Sequence, residues 1–290
     1  PLSVVMHEDN EVLDAVVVTA LGIKRSEKAL TYNVQEVAGD IVNTVKDANF
    51  MNALAGKVAG VEINASAAGI GGGVKVVMRG NKSINGNNNA LYVIDGIPMP
   101  SLQSNQPTDA YHGDAQTGDA ASMVNPDDIE SISVLSGAAA SALYGSDAAN
   151  GVVMITTKKG TVGKVRVSYS NNTSFFSPFV TPEFQNTYGQ TGTGTFSSWG
   201  SKLATPSSYD PLDFFQTGYN VGNSVTFSVG SEHSQTFVSA STTNAEGIVE
   251  NNEMSRYNFT IRNTTDFLKD RLHLDLSAMY MSCLLYTSDA

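Results

Sequence analysis

The 290-residue chain has one cysteine, one tryptophan and four histidines, and only 16% of its residues are charged. The lone Cys283 excludes an intrachain disulfide framework and any multi-cysteine metal centre, and it leaves the redox compartment open. His7, His112, His233 and His273 are scattered, none with a second His, Glu or Cys at ligand spacing, so no preformed metal site is expected. Basic residues are scarce: 17 Lys and Arg against 28 Asp and Glu give a formal charge of −11, and both halves share the acidic excess. No basic face is implied, and nucleic acid is not an expected partner. Long apolar runs are also missing. The nearest candidates, around residues 12–23 and 132–144, are broken by Asp14, Thr19 and several Ser and Gly, so no membrane helix is expected. A transmembrane β-barrel stays open, because alternating strands carry a much weaker hydropathy signal. The chain starts at Pro1 inside a strand-like stretch, and it reads as a piece of something longer.

What is present is β-prone and turn-rich. Leu2–Met6 followed by the acidic turn His7–Glu11 resembles the end of a small β domain. In residues 13–25 the run Val16-Val17-Val18 favours extended backbone without two-residue alternation. A strand buried on both faces looks like this, and so does a peptide that adds itself to another protein's sheet edge. A helix is expected over 45–56, with Phe50, Leu54 and Val58 on one face. Short strands are expected over 58–63, 74–78 and 90–94, separated by Gly-rich and Asn-rich turns. The polar stretch from Pro98 to Met123 is longer than compact domains usually tolerate without a function. It is the leading binding-loop candidate, through Asp109, Tyr111, His112, Asp114 and Asp119. Its aspartates lack the spacing of the common calcium loop. After the turn Asn125-Pro126-Asp127-Asp128 come a strand (129–135), an Ala-rich helix (138–144) and a strand (152–157), with Gly145 and Gly151 at positions where a Cβ would be penalised.

Beyond Gly160 the pattern becomes long and alternating. Val165, Val167 and Tyr169 alternate with polar residues, as do Val225, Phe227 and Val229, then Tyr257, Phe259 and Ile261, then Leu272, Leu274, Leu276, Ala278 and Tyr280. A soluble sandwich turns the apolar face inward; a membrane barrel turns it outward around a wet lumen. Strands of nine or ten residues, with Tyr169, Phe175, Phe176, Tyr257 and Tyr280 near their ends, favour the barrel.

Catalytic chemistry finds no support. Gly69–Gly73 leads into a strand rather than a helix, which is wrong for a phosphate loop, and no Ser, His and Asp set with a nucleophile elbow is present. No enzyme and no cofactor are expected.

Four segments carry a resemblance to the SusC/RagA-type TonB-dependent outer-membrane transporters. Val16-Val17-Val18-Thr19-Ala20-Leu21-Gly22-Ile23 resembles the TonB box and its exit, with Ala15 where an acidic residue is more usual. Leu91–Pro98 is similar to the plug's strand and Asp95-Gly96-x-Pro98 turn. Asn125-Pro126-Asp127-Asp128-Ile129-Glu130-Ser131-Ile132 is the most specific, with the later Tyr144-Gly145, Asn150-Gly151 and the 155–160 segment. In it Ser136-Gly137 replace a common charged pair and Asp147 a common Arg. Gly247-Ile248-Val249 with Arg256-Tyr257 resembles an early barrel hairpin.

The resemblance implies a mixed α+β plug followed by the first strands of a large antiparallel transmembrane barrel. The implied division is the end of a small β domain (1–12), TonB box and linker (13–25), plug (26–160) and barrel strands (161–290). A full barrel has 22 strands and only five or six are legible here, so the chain is expected to be a fragment. The tail 283–290 fits the family poorly and is expected to be a junction. The implied function is TonB-dependent import of a bulky nutrient, an oligosaccharide or peptide, across the outer membrane. The implied partners are TonB, a SusD-like surface lipoprotein and outer-membrane lipid. The alternative is a secreted or surface-bound β-sandwich adhesin, with Val16–Val18 in its core and the Gly and Asn loops as binding tips.

Overall fold

The computed structural model describes residues 16–18, 24–26, 34–43, 49–64, 70–83, 88–99, 119–135, 137–268 and 271–286. Near the start, β1 (Val16–Val18) pairs antiparallel with β2 (Lys24–Ser26) in a two-stranded ribbon belonging to neither larger sheet. The valine run is therefore an extended strand, as its β-branching dictates, but not a central strand of the following unit.

That unit is a mixed sheet with short helical segments. It contains β3 (Val34–Ala38), α1 (Gly39–Asn43), the hairpin partners β4 (Val61–Asn64) and β5 (Lys75–Met78), β6 (Leu91–Ile94), β7 (Ile97–Pro98), β8 (Ile129–Leu135), α2 (Ala138–Tyr144) and β9 (Val152–Thr157). The sheet order is β3-β8-β9-β6-β7, and β6 runs parallel to β9. Within the expected helix over 45–56 the structure forms a 3-10 helix, Phe50–Leu54, capped by the Asn49 side chain on the Met51 N–H at 3.1 Å. Residues 44–48 lie outside the described set. Phe50, Leu54 and Val58 are nevertheless buried together with Val76, Ile129, Ile132 and Ile155, so the apolar spacing located the core although the helix is shorter and tighter.

The remainder is five antiparallel strands in chain order: β10 (Gly163–Phe176), β11 (Gly218–Gly230), β12 (Ser234–Glu246), β13 (Glu253–Phe267) and β14 (Leu272–Tyr286). They have 13 to 15 residues, longer than the expected nine or ten. Tyr169, Tyr257 and Tyr280 consequently sit well inside their strands rather than near the ends. Residues 283–286, part of the expected junction, continue β14 in register with Arg256 to Glu253. At one end of the sheet β11 and β12 join through the short turn 231–233, and β13 ends where β14 begins; at the other the strands join through the long segment 177–217 and the turn 247–252. Strands β10 and β14 are not paired with each other, so the sheet is open.

The sheet's two faces decide between sandwich and barrel. On β13 the polar residues Arg256, Asn258, Thr260, Arg262 and Thr264 are buried, whereas Tyr257, Phe259 and Ile261 are 49%, 46% and 40% exposed. On β11 Asn220, Ser224 and Ser228 are buried and Val225 is exposed. The polar face lies against the α/β unit and the apolar face points away. A water-soluble sandwich requires the opposite, which removes the physical basis of the adhesin alternative.

Candidate functional site

The buried polar face of the long sheet grips the α/β unit at two main points. The first is the turn between β6 and β7. Asp95 and Gly96 both have positive φ, +48° and +86°, as a two-residue hairpin turn of the favoured hand requires. This geometry turns the Asp95 carboxylate back to the end of β9, where it accepts hydrogen bonds from Thr157 N (2.9 Å) and Thr157 Oγ1 (2.6 Å). From β13, Arg262 Nη1 donates to Asp95 Oδ1 (3.0 Å), Thr157 O (3.0 Å) and Thr157 Oγ1 (2.8 Å). Its other edge forks onto Asp275 of β14, at 3.0 Å from Nε and 2.9 Å from Nη2. Lys159 adds a second cation to Asp275 at 3.0 Å. Two carboxylates thus meet two cations. The bidentate guanidinium gives the geometric fit that makes burial of such a pair tolerable.

The second point is the 3-10 turn Pro126–Asp128. Asn125 caps it by accepting from the Asp127 N–H at 3.3 Å. The amide nitrogen of Asn125 donates to Asp128 Oδ1 (3.2 Å) and to Ser224 Oγ on β11 (3.1 Å). Ser239 Oγ of β12 donates to Asp128 Oδ2 at 2.5 Å, so one short turn binds two neighbouring strands. Asp128 is fully buried. Burial pushes its carboxyl up to about 6, opposed by the hydroxyls of Ser239 and Thr260 and by Lys158 and assisted by Asp127.

Smaller contacts extend the seam. Asn258 Nδ2 donates to Met123 O (2.7 Å), Ile70 N to Asn252 Oδ1 (3.0 Å) and Thr161 N to Ser228 Oγ (2.9 Å). A small apolar cluster of Ala245, Met254, Ile70 and Leu285 adds packing. A cleft of about 730 Å³ opens beside the Arg262 network, lined in part by Met99, Met123, Met154, Met279 and Tyr144.

The expected site residues divide unevenly. Asp95, Gly96, Asn125, Pro126 and Asp128 build the two grips. Pro98 is exposed in β7, and Tyr144 Oη lies 3.7 Å from Met154 Sδ. Gly145 ends α2 with its N–H on Ser141 O at 2.8 Å, and Asn150 and Gly151 form the turn into β9. At Gly151 φ is +108° and an added Cβ would lie 2.2 Å from Met78 Sδ, so only glycine fits. Val16, Val17 and Val18 form β1, while Thr19 and Ala20 are outside the described residues, as are Asp109, Tyr111, His112 and Asp114. Asp119, expected in a ligand-facing loop, is instead buried; it accepts from Asn49 Nδ2 (2.9 Å) and Val74 N (2.8 Å). Its carboxylate anchors the returning chain to the core. Sequence reasoning missed Arg262, Asp275, Thr157 and Ser239. The available signal was a charged residue on the polar side of an alternating strand, where Ser, Thr and Asn otherwise prevail. Among the described residues no three His, Cys, Asp or Glu gather as a metal site, and no helix is long and apolar enough to cross a membrane.

Comparison with known proteins gives the arrangement a family. The TonB-dependent Receptor Plug Domain family matches residues 26–152. The TonB-dependent receptor SusC of Bacteroides thetaiotaomicron is 30% identical over 292 aligned positions, covering 97% of this chain and 27% of SusC. The chain belongs to the SusC/RagA-type TonB-dependent receptors. TonB-dependent receptor P3 of Formosa agariphila is 31% identical over 273 positions, covering 91% of this chain and 24% of the relative. A chain of the RagAB peptide importer in its "closed-closed" state superposes with a TM-score of 0.71 at 21% identity, over 90% of this chain and 32% of that one. The α/β unit is accordingly the plug, and the five long strands are the start of a receptor barrel wall. The chain spans about a quarter of the length of the curated relatives it matches.

Proposed function

We propose that this chain supplies the plug and first wall strands of an outer-membrane importer that takes up a bulky nutrient, an oligosaccharide or a peptide, with energy delivered through TonB. The observation that carries the reading is the chemistry of the plug–wall seam. It is held mainly by hydrogen bonds and ion pairs, whose partners can be exchanged for water when the plug shifts. An extensive apolar seam would offer no such replacement. In this reading Val16–Ala20 is the TonB box, whose extended Val16–Val18 run is suited to strand addition by main-chain hydrogen bonds. The plug closes the lumen, and a SusD-like surface lipoprotein covers the extracellular mouth. The SusC relative and the RagAB peptide importer support import as the function class and leave the choice between glycan and peptide to the ligand itself. The outward apolar face of the wall supports an outer-membrane location, with lipid against it.

Deleting residues 13–20 from the full receptor tests the coupling. Uptake is expected to be abolished while ligand affinity is unchanged; uptake at the intact receptor's rate sinks the reading.

A further inference from the structure

The turn 247–252 joins β12 to β13 at the same end of the wall as the long segment 177–217. Long loops mark the outer end of such a wall and short turns the inner one. Asn252 closes this turn and is 5% exposed. Its backbone donates to Val249 O (3.3 Å) and accepts from Gly247 N (2.7 Å). Its side chain leaves the turn instead: Oδ1 accepts from Ile70 N of the plug at 3.0 Å. A Cβ at Gly247 would lie 2.5 Å from that oxygen, so the two residues pack without slack.

The plug side of the contact is equally close. Gly71 has φ +76°, and a Cβ there would lie 2.5 Å from Met254 Sδ. Ile70 packs with Met254, Ala245 and Leu285 in one apolar cluster. A little further along the chain, Val74 N donates to the buried Asp119 carboxylate, which Asn49 also holds. The turn therefore touches a stretch of plug that is itself tied to the plug core.

On its other side the turn is tied to the end of the long segment. Gln216 N donates to Ile248 O (2.9 Å), and the Gln216 side-chain amide donates to Glu246 Oε1 (2.8 Å) and Gly247 O (3.1 Å). Asn252 and Gln216 thus meet at Gly247, one holding its N–H and the other its carbonyl oxygen.

We propose that the plug turn at Ile70 and Gly71 is coupled through Asn252, Gly247 and Gln216 to the outer segment 177–217. Withdrawal of the plug loosens the outer segment, and whatever orders the outer segment favours the docked plug. This deepens the import reading and rests on it, because that reading supplies the two plug positions. Withdrawal removes the Ile70 donor from a buried oxygen, a loss that the turn meets by rearranging or by admitting water. The same turn carries the acceptors of Gln216, so its rearrangement reaches the long segment. Coupling between two sites is reciprocal, and each end must respond to a change at the other.

Hydrogen exchange on the full receptor, without TonB or ligand, tests both directions. Gln216→Glu lies outside the plug and sets a carboxylate against Glu246. It is expected to raise exchange at residues 70–73 several-fold, and adding Glu246→Gln is expected to restore protection by giving the pair a donor again. Gly71→Ala is expected to raise exchange over 214–218 and 247–252. In Gln216→Glu the amides of Asp127 and Thr157, at the two main grips, should keep their native rates. Native rates at 70–73 in Gln216→Glu, native rates at 214–218 in Gly71→Ala, or an equal rise at Asp127 and Thr157 in Gln216→Glu overturn the coupling. Uptake by the receptor lacking residues 13–20 reads the import proposal separately. Uptake lost there while residues 70–73 ignore Gln216→Glu refutes the coupling alone; uptake undiminished there refutes the import reading whatever the exchange shows.

Discussion

Arg262 is the residue on which the seam depends most. Its guanidinium satisfies Asp95, Thr157 and Asp275 at once, and it is 6% exposed. Truncating it to alanine leaves the part-buried Asp95 carboxylate without a cation, although Thr157 still donates to it, so the loss is expected at or below the low end, about 3 kcal/mol, of that for a fully buried pair. Arg262→Ala is therefore expected to lower the thermal midpoint of the full receptor and expose the plug to protease. Arg262→Lys should recover little, because an ammonium cannot fork between Asp275 and the plug. Asp128 behaves differently because burial raises its carboxyl above the unfolded value of about 3.9 to about 6. The docked plug thus prefers the protonated form. This contribution to stability is fully present below about pH 4, declines as pH rises through about 6, and is gone above it. A melting profile from pH 8 to pH 5 should show the native receptor gaining stability relative to Asp128→Asn, which lacks the titrating group. Parallel profiles would contradict the assignment. Asp95 and Asp128 were legible beforehand through their motifs, whereas Arg262 was not, because its importance arises only when β13 and the Asp95 turn meet across the seam. Asp119 misled for the same reason: a carboxylate in a polar stretch looks solvent-facing until its donors, Asn49 and Val74, are placed around it.

At the scale of elements, local chemistry predicted most of the plug. The resemblance marked the Asp95-Gly96 turn, β-branched runs marked β8 and β9, and the alanines between two glycines marked α2. The helix expected over 45–56 failed in extent because its spacing recorded burial of Phe50, Leu54 and Val58, which a 3-10 turn followed by a bend satisfies equally. Among the wall strands, β12 was the least legible. Phe237 and Val238 are adjacent, one turned to the plug and the other outward, so its alternation is blurred. Strand lengths were underestimated because polar residues on the outward side above Tyr257 look like strand ends. The register shows that pairing continues to Glu253.

For the whole molecule, alternation alone could not choose between sandwich and barrel, since both use the same period. The choice needed the identity of what packs against the polar face, and that is the plug. Burying Ser, Asn, Thr and Arg on the inner side while leaving Val, Phe, Ile and Leu outside explains the low charge fraction together with the absence of a helical span. On the proposed import reading, the same arrangement makes a seam that is held at rest and released on transport. Cysteines at Asn125 and Ser224, whose side chains meet at 3.1 Å across it, test release most directly when placed in the full receptor with Cys283 replaced by Ser. With the pair cross-linked to completion, uptake is expected to stop and to return on reduction. Undiminished uptake through a fully cross-linked receptor would contradict the account.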